Sequence, residues 1–135
     1  MKSPILELQQ AIKSELIFLG YKVFDGLPMG EEDYPFIVFD NDSTTDDETI
    51  KAGSITDILF PFYIWSDYAN GGSKEAKEIA DNIIQALVDK EDTISMTGFT
   101  CEKCSFFSMR INRQKDNLKQ LTQLILTLEF KISED

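Results

Sequence analysis

The sequence contains no histidine and only two cysteines among its 135 residues. Without histidine there is no Ser–His or Cys–His nucleophile pair and no imidazole general base. The two cysteines alone supply half of the four ligands that a structural zinc site takes. Cys101-x-x-Cys104 is the one metal-like or redox-like spacing. It precedes a strand-like stretch from Ser105, which places it in a loop rather than at the helix N-terminus that stabilises a redox thiolate. Gly71-Gly72 is not followed by the Gly-Lys-Ser/Thr of a phosphate-binding loop. Asp40, Asp42 and Thr44 alternate as in a calcium loop, but Thr45 stands where the sharp turn needs Gly and Lys51 where a bidentate Glu would close the site. Carboxylate pairs could be picked anywhere in so acidic a chain, so none is singled out for glycoside chemistry. The expectation is no enzyme: no catalytic residue, no cofactor site and no metal ligand.

Long apolar runs are also missing. The longest, Ile58 to Trp65, is eight residues and contains Pro61, whereas a membrane-spanning helix needs about 20. Lys2 and Pro4 lead into a mixed polar stretch rather than a secretion signal, so a cytoplasmic protein without a membrane partner is expected. Basic residues are scarce, 13 against 24 acidic ones, for a formal net charge of −11. No Lys/Arg stripe stands out, and such a surface repels phosphate backbones, which argues against non-specific nucleic-acid binding.

What is present is core material. The 42% hydrophobic content includes ten Phe and four Tyr, enough for one domain over 1–135 without staples. Ser3 and Pro4 read as a cap and first helical residue. Ile5, Leu8, Ile12, Leu16 and Leu19 then mark one face of a helix over roughly 4–19, ended by Gly20. Tyr21–Phe24 is a short strand candidate. Pro35–Asp40 sets Phe36 and Val38 against Ile37 and Phe39. Thr56–Trp65 sets Ile58, Phe60, Phe62 and Ile64 against Leu59, Tyr63 and Trp65, with Pro61 implying an edge or a bulge. Ser73 caps a second helix to about residue 88, with a stripe of Ala76, Ile79, Ala80, Ile83, Leu87 and Val88.

Thr93–Met96 is a short extended piece, and Phe106–Ile111 sets Phe107, Met109 and Ile111 against Phe106, Ser108 and Arg110. Asp116-Asn117 turns into a clean alternation from Thr122 to Ile132. The fold class is α+β: an antiparallel or mixed sheet of about four to five strands against two helices. Phe60, Phe62, Ile64, Ile79, Ile83 and Leu87 are the candidate shared core. The strands carry more apolar residues than one face needs, which fits either an oligomer interface or covering loops.

The segment Asp40–Ser54 breaks the pattern. Asp40, Asp42, Asp46, Asp47 and Glu48 cluster there, with only Ile50 and Ala52 as apolar content. It reads as a long loop or hairpin arm for assembly, with Thr49-Ile50 available as a short strand, or as an ordinary solvent-exposed connection.

The ordered features resemble the tail-completion or tail-terminator proteins of long-tailed phages. They are a helix ending at Gly20, then Val23-Phe24, then Tyr34-Pro35-Phe36-Ile37-Val38-Phe39. The strand ending Phe62-Tyr63-Ile64-Trp65-Ser66 follows, then the helix Ser73–Val88, Phe107–Arg110, Lys115-Asp116 and the long last strand. The family's usual glycine after the late aspartate is Asn117 here, and the resemblance does not account for the cysteines. It implies a structural virion protein, assembled in the host cytoplasm, that forms a homo-oligomeric, hexameric ring at the head-proximal end of the tail. The ring would complete or terminate the tail tube, meeting the tail-tube protein on one side and the head connector on the other. DNA would pass through without specific binding. The alternatives are a head-completion or minor capsid protein, or a small cytoplasmic protein-binding module.

Overall fold

A computed structural model describes residues 4–26, 33–39, 47–50, 55–67, 72–116 and 119–135. The elements run α1 (Ile5–Phe18), β1 (Val23–Phe24), β2 (Phe36–Val38), β3 (Asp47–Ile50), β4 (Ile55–Asp67), α2 (Gly72–Leu87), a 3-10 turn (Glu91–Thr93), β5 (Phe99–Asp116) and β6 (Lys119–Glu134). The fold is α+β, a mixed sheet packed against two helices. Its strand order is β1-β2-β4-β6-β5, with β3 paired to β4 as a sixth strand. Only β1 and β2 are parallel. The sixth strand comes from 47–50, where the sequence offers Thr49-Ile50 as a short strand and the backbone pairs with β4 from Asp47 to Ile50.

α1 begins one residue later than its composition suggests. Pro4 occupies the N-cap position, with no side-chain capping bond; Ser3 lies outside the described residues. At the other end Gly20 takes φ +96°. Its N–H bonds to the Ile17 carbonyl and the Tyr21 N–H to the Leu16 carbonyl, the paired bonds of a Schellman stop. Leu8, Ile12 and Leu16 are buried, but Leu19 lies beyond the helix and is 40% exposed, contrary to the spacing argument. α2 starts at Gly72, so Ser73 lies inside the helix rather than capping it.

β4 and β6 are the centre of the molecule. They pair antiparallel without a break from Ile55↔Ser133 to Asp67↔Leu121. Side chains alternate between faces along a strand, and here every second one enters the core: Ile58, Phe60, Phe62 and Ile64 from β4, Leu124, Leu126, Leu128, Phe130 and Ile132 from β6. Ala76, Ile79, Ala80, Ile83 and Leu87 of α2, and Leu8, Ile12 and Leu16 of α1, belong to the same cluster. Phe39 meets Phe60 and Phe62 edge-on, with ring centroids 5.0 and 5.7 Å apart. Fully burying a side chain such as Phe62 or Ile83 contributes about 1.5–3 kcal/mol.

Pro61 does not mark a sheet edge. β4 is interior, and Pro61 stands opposite Thr127 of β6. On the other side of β4 the ladders reach Ile58 from β3 and Tyr63 from β2, so among the described residues Pro61 falls in the gap between them. A position bonded on one side only tolerates the loss of its N–H.

β5 departs most from expectation. It starts at Phe99 rather than Phe106, and Thr93–Met96 is the end of a 3-10 turn plus an isolated bridge, Ser95↔Thr100. Two irregularities, between Cys101 and Lys103 and between Phe106 and Ser108, shift its register against β6. Each places an extra residue opposite one partner. Phe106 is therefore opposite Leu128 and Met109 opposite Leu126, on one face, correcting the expected separation of these two side chains. The strand ends with Asp116 paired to Lys119.

Candidate assembly interface

The cysteine pair is part of the scaffold. Cys101 and Cys104 lie within β5, not in a loop, opposite Ile132 and Phe130. Both are buried thiols in the core cluster. Among the described residues no three His, Cys, Asp or Glu side chains come together to hold a metal ion. No described helix is long and apolar enough to cross a membrane.

What the described residues do present is uncovered apolar surface, in three places. The first is the sheet face opposite the helices. Its β4 side chains, Ile55, Asp57, Leu59, Pro61, Tyr63, Trp65 and Asp67, are all half-buried, as are Gln123, Ile125, Thr127, Glu129 and Lys131 of β6. This face has two characters. Near the start of β4, Asp57 and Lys131 are opposite each other and form an ion pair at 3.3 Å. Toward its end the face is aromatic: Trp65 is opposite Phe36, and Tyr63 opposite Val38. Tyr34 stacks on Phe36 at 5.1 Å, and Phe24 meets it edge-on at 5.7 Å.

The second place is the β5 edge. Just past the end of α2, the Asp89 N–H bonds to the Cys104 carbonyl. Beyond that point Phe106 is 50% exposed, Phe107 54% and Met109 36%. The third lies at the opposite edge of the sheet. There the end of α1 leads directly into β1, and Ile17 is 54% exposed and Phe18 84%. Helical periodicity places these two on the far side of α1 from Leu8, Ile12 and Leu16, off the apolar stripe that marks the helix in the sequence.

The arm residues divide. Asp47, Glu48 and Ile50 lie in β3, opposite Ile58, Asp57 and Ile55 of the same chain. Asp40, Asp42 and Asp46 lie outside the described residues. The residues expected to form one core, Phe60, Phe62, Ile64, Ile79, Ile83 and Leu87, are buried in a single cluster.

A scaffold with a helix-covered face, a half-open aromatic face and bare apolar side chains at both edges offers surface for association. The family model described as "Tail completion protein gp17" matches residues 10–133, and the chain belongs to that family. It is accordingly a structural, non-catalytic virion protein of the tail-completion and terminator class, placed at the head–tail junction. Among solved structures, a chain from the "Virion of native gene transfer agent (GTA) particle" superposes with a TM-score of 0.74 at 18% identity. The alignment covers 98% of this chain and 99% of that one; at this identity it shows the shared fold. A search of the curated proteins finds no match.

Proposed function

We propose that copies of this chain close into a ring, a hexamer, on the head-proximal end of the tail tube, where the ring stops tube growth and joins the tube to the head connector. The observation that carries this reading is the family match over residues 10–133. The likeness to a chain of a tailed-particle virion is in keeping with it, as is the apolar surface that the monomer leaves at both edges of its sheet. Ring closure needs two different surfaces on each subunit, because one subunit's patch must meet another patch on its neighbour.

The net charge of −11 suits the channel role. An acidic wall repels the phosphates of passing DNA, so the duplex slides without being held. The segment Asp40–Ser54 is the arm of this reading. Its β3 strand pairs with β4, and in this reading the arm serves contact with the tube or an adjacent subunit.

Negative-stain microscopy of the purified protein, alone and mixed with purified tail tubes, tests the proposal. Closed rings with a central channel, seated at one end of the tubes, are expected. Tubes that remain uncapped and continue to elongate when tube protein is added would overturn it.

A further inference from the structure

The sheet offers bare backbone at two of its edges. β5 closes one side of the strand order and pairs with β6, and from Ser108 to Asp116 that ladder runs nine residues without a break. Among the described residues no strand lies along the outer side of this stretch. On the other side of the sheet, β3 pairs with β4 alone over its four residues. A row of unpaired N–H and C=O groups is a template for a further strand. The directions agree as well. β3 is antiparallel to β4, β4 to β6, and β6 to β5, so a copy carried round without being turned over presents β3 antiparallel to β5.

Charge changes along β5. Its first half has acidic surroundings: Glu102 is in the strand, the Asp89 N–H bonds to the Cys104 carbonyl, and Asp92 is in the 3-10 turn. Cys104 is opposite Phe130 and Arg110 opposite Ile125, five residues or roughly 17 Å further along β6. From Ser105 to Asp116 the strand carries Arg110, Arg113 and Lys115 against Asp116. Both arginines of the sequence are here and both are exposed, and neither forms an ion pair or side-chain hydrogen bond among the described residues. Of the carboxylates on neighbouring elements, Glu129 is opposite Ser105, and Asp67 is two strands in from β5, opposite Leu121. Glu75 of α2 accepts the Ser66 hydroxyl at 2.5 Å. Arg110 is on the open face, opposite Ile125, and Arg113 on the helix-covered face, opposite Thr122. β3 has the same pattern in the opposite sign: Asp47 and Glu48 are opposite Ile58 and Asp57, one position on each face.

We infer that β3 of one subunit adds to the second half of β5 of a neighbouring copy, antiparallel and with Glu48 opposite Arg110, and that this strand pairing is the ring joint. The inference rests on the ring reading above and supplies the surfaces for it. In this register Thr49 is opposite Met109 and Asp47 opposite Ile111, which sets Asp47 diagonal to Arg113 on the same face. Long side chains reach a diagonal partner. A slip by one residue would put the carboxylates and the arginines on opposite faces. A second β5 is barred from the same edge, because it would bring cation against cation. The stagger suits closure. In the subunit's own sheet Glu48 lines up through Asp57 with Lys131, and Arg110 with Ile125. The neighbour is therefore displaced along the strands by the six residues from Ile125 to Lys131, roughly 20 Å, for every four strands, roughly 19 Å, across the sheet. Strands staggered in this way tilt by about 45°, at the top of the range that closed sheets take.

Charge reversal and cross-linking in the full-length chain test this. By sedimentation velocity, Arg110→Glu alone and Glu48→Arg alone should each lose the ring, with melting temperatures matching the parent's. The double variant Glu48→Arg/Arg110→Glu restores opposite charges across the joint and should recover rings of parental size. Glu48→Cys/Arg110→Cys, oxidised with diamide, should run on a non-reducing gel as a ladder up to the full ring, whereas the parent should not. If the parent assembles only on tail tubes, the same measurements are made on capped tubes. Parent-sized rings from either single charge variant, or no recovery in the double variant, would overturn the inference while leaving the ring itself standing. So would rings of the double-cysteine variant that yield no cross-link. A parent protein that neither self-associates nor caps tail tubes would overturn the ring reading itself. Salt-sensitive binding of a short duplex DNA by the parent, abolished by Arg110→Glu/Arg113→Glu with rings unchanged, would overturn the inference by making this edge a nucleic-acid surface.

Discussion

The two faces of the β4–β6 pair are built from one uninterrupted ladder, yet they follow different rules. Toward the helices every side chain from Ile58 to Ile64 that points inward is buried to within a few per cent. Away from them, neighbours on the same strands stay half-exposed, and apolar Leu59, Tyr63 and Ile125 share the surface with Asp57, Glu129 and Lys131. The covered face holds the fold together. The open face and the edges are available for other contacts, so changes on the two sides should separate stability from assembly.

The largest expected effect lies on the covered side. Phe62→Ala or Ile83→Ala should cost about 2–5 kcal/mol in denaturant titration, through lost burial and the cavity left behind. Leu59→Ala or Ile125→Ala, on the open face, should cost about 1 kcal/mol or less in the monomer. Equal losses on both faces would erase the distinction. Next comes Cys104, which is fully buried opposite Phe130. Cys104→Ser sets a hydroxyl among apolar side chains and should cost about 1–3 kcal/mol, with Cys104→Ala milder. Elemental analysis of the parent should find no stoichiometric zinc; zinc lost together with a large drop in melting temperature in either variant would make the pair a metal site after all.

Smaller still should be the monomer's response to replacing residues 41–53 with an Asn-Gly hairpin turn. The melting temperature should fall by a few degrees at most, because loop-closure entropy changes slowly with length. Ring formation and tube capping, followed by sedimentation and microscopy, should be lost. Normal capping would sink the arm, and collapse of the monomer would make the segment part of the fold. Smallest is the ion pair across β4 and β6. Asp57→Asn should cost about 0.2–1 kcal/mol and become neutral at high salt, as a cross-strand pair near solvent does.

Much of the scaffold was legible in the amino-acid pattern, for a physical reason. β4 and β6 keep strict alternation because each is flanked and pinned on one buried face, and α2 keeps its stripe because it lies flat on them. β5 hid itself: its two register shifts put inward residues at Cys101, Cys104, Phe106 and Met109, spacings of three, two and three that match no strand period. β3 hid for another reason, since Asp47-Glu48-Thr49-Ile50 pairs through its backbone and its composition resembles a loop. The interface was the least legible part. Ile17 and Phe18 read as ordinary helix filler, and their exposure follows from where α1 sits, which only tertiary packing decides. The sequence likewise showed no basic stripe because β5 sets Lys103 and Arg110 on one face of the strand and Arg113 on the other.

The gap at Pro61 has a consequence for how the subunit breathes. β3 and β2 both pair with β4, but the four residues between their ladders include Pro61, which has no N–H to donate, so the two ladders stay separate there. Four residue pairs hold β3 in place, with β6 securing β4 whether or not β3 is there. Opening of the β3 ladder is therefore a local event with its own small free energy, far below that of global unfolding. Amide exchange along β3 should be fast, with the β4–β6 ladder exchanging orders of magnitude more slowly, and β3 should slow selectively once the subunit is locked into an assembly. A strand that can leave its own sheet without unfolding it is a latch that a neighbour can take hold of.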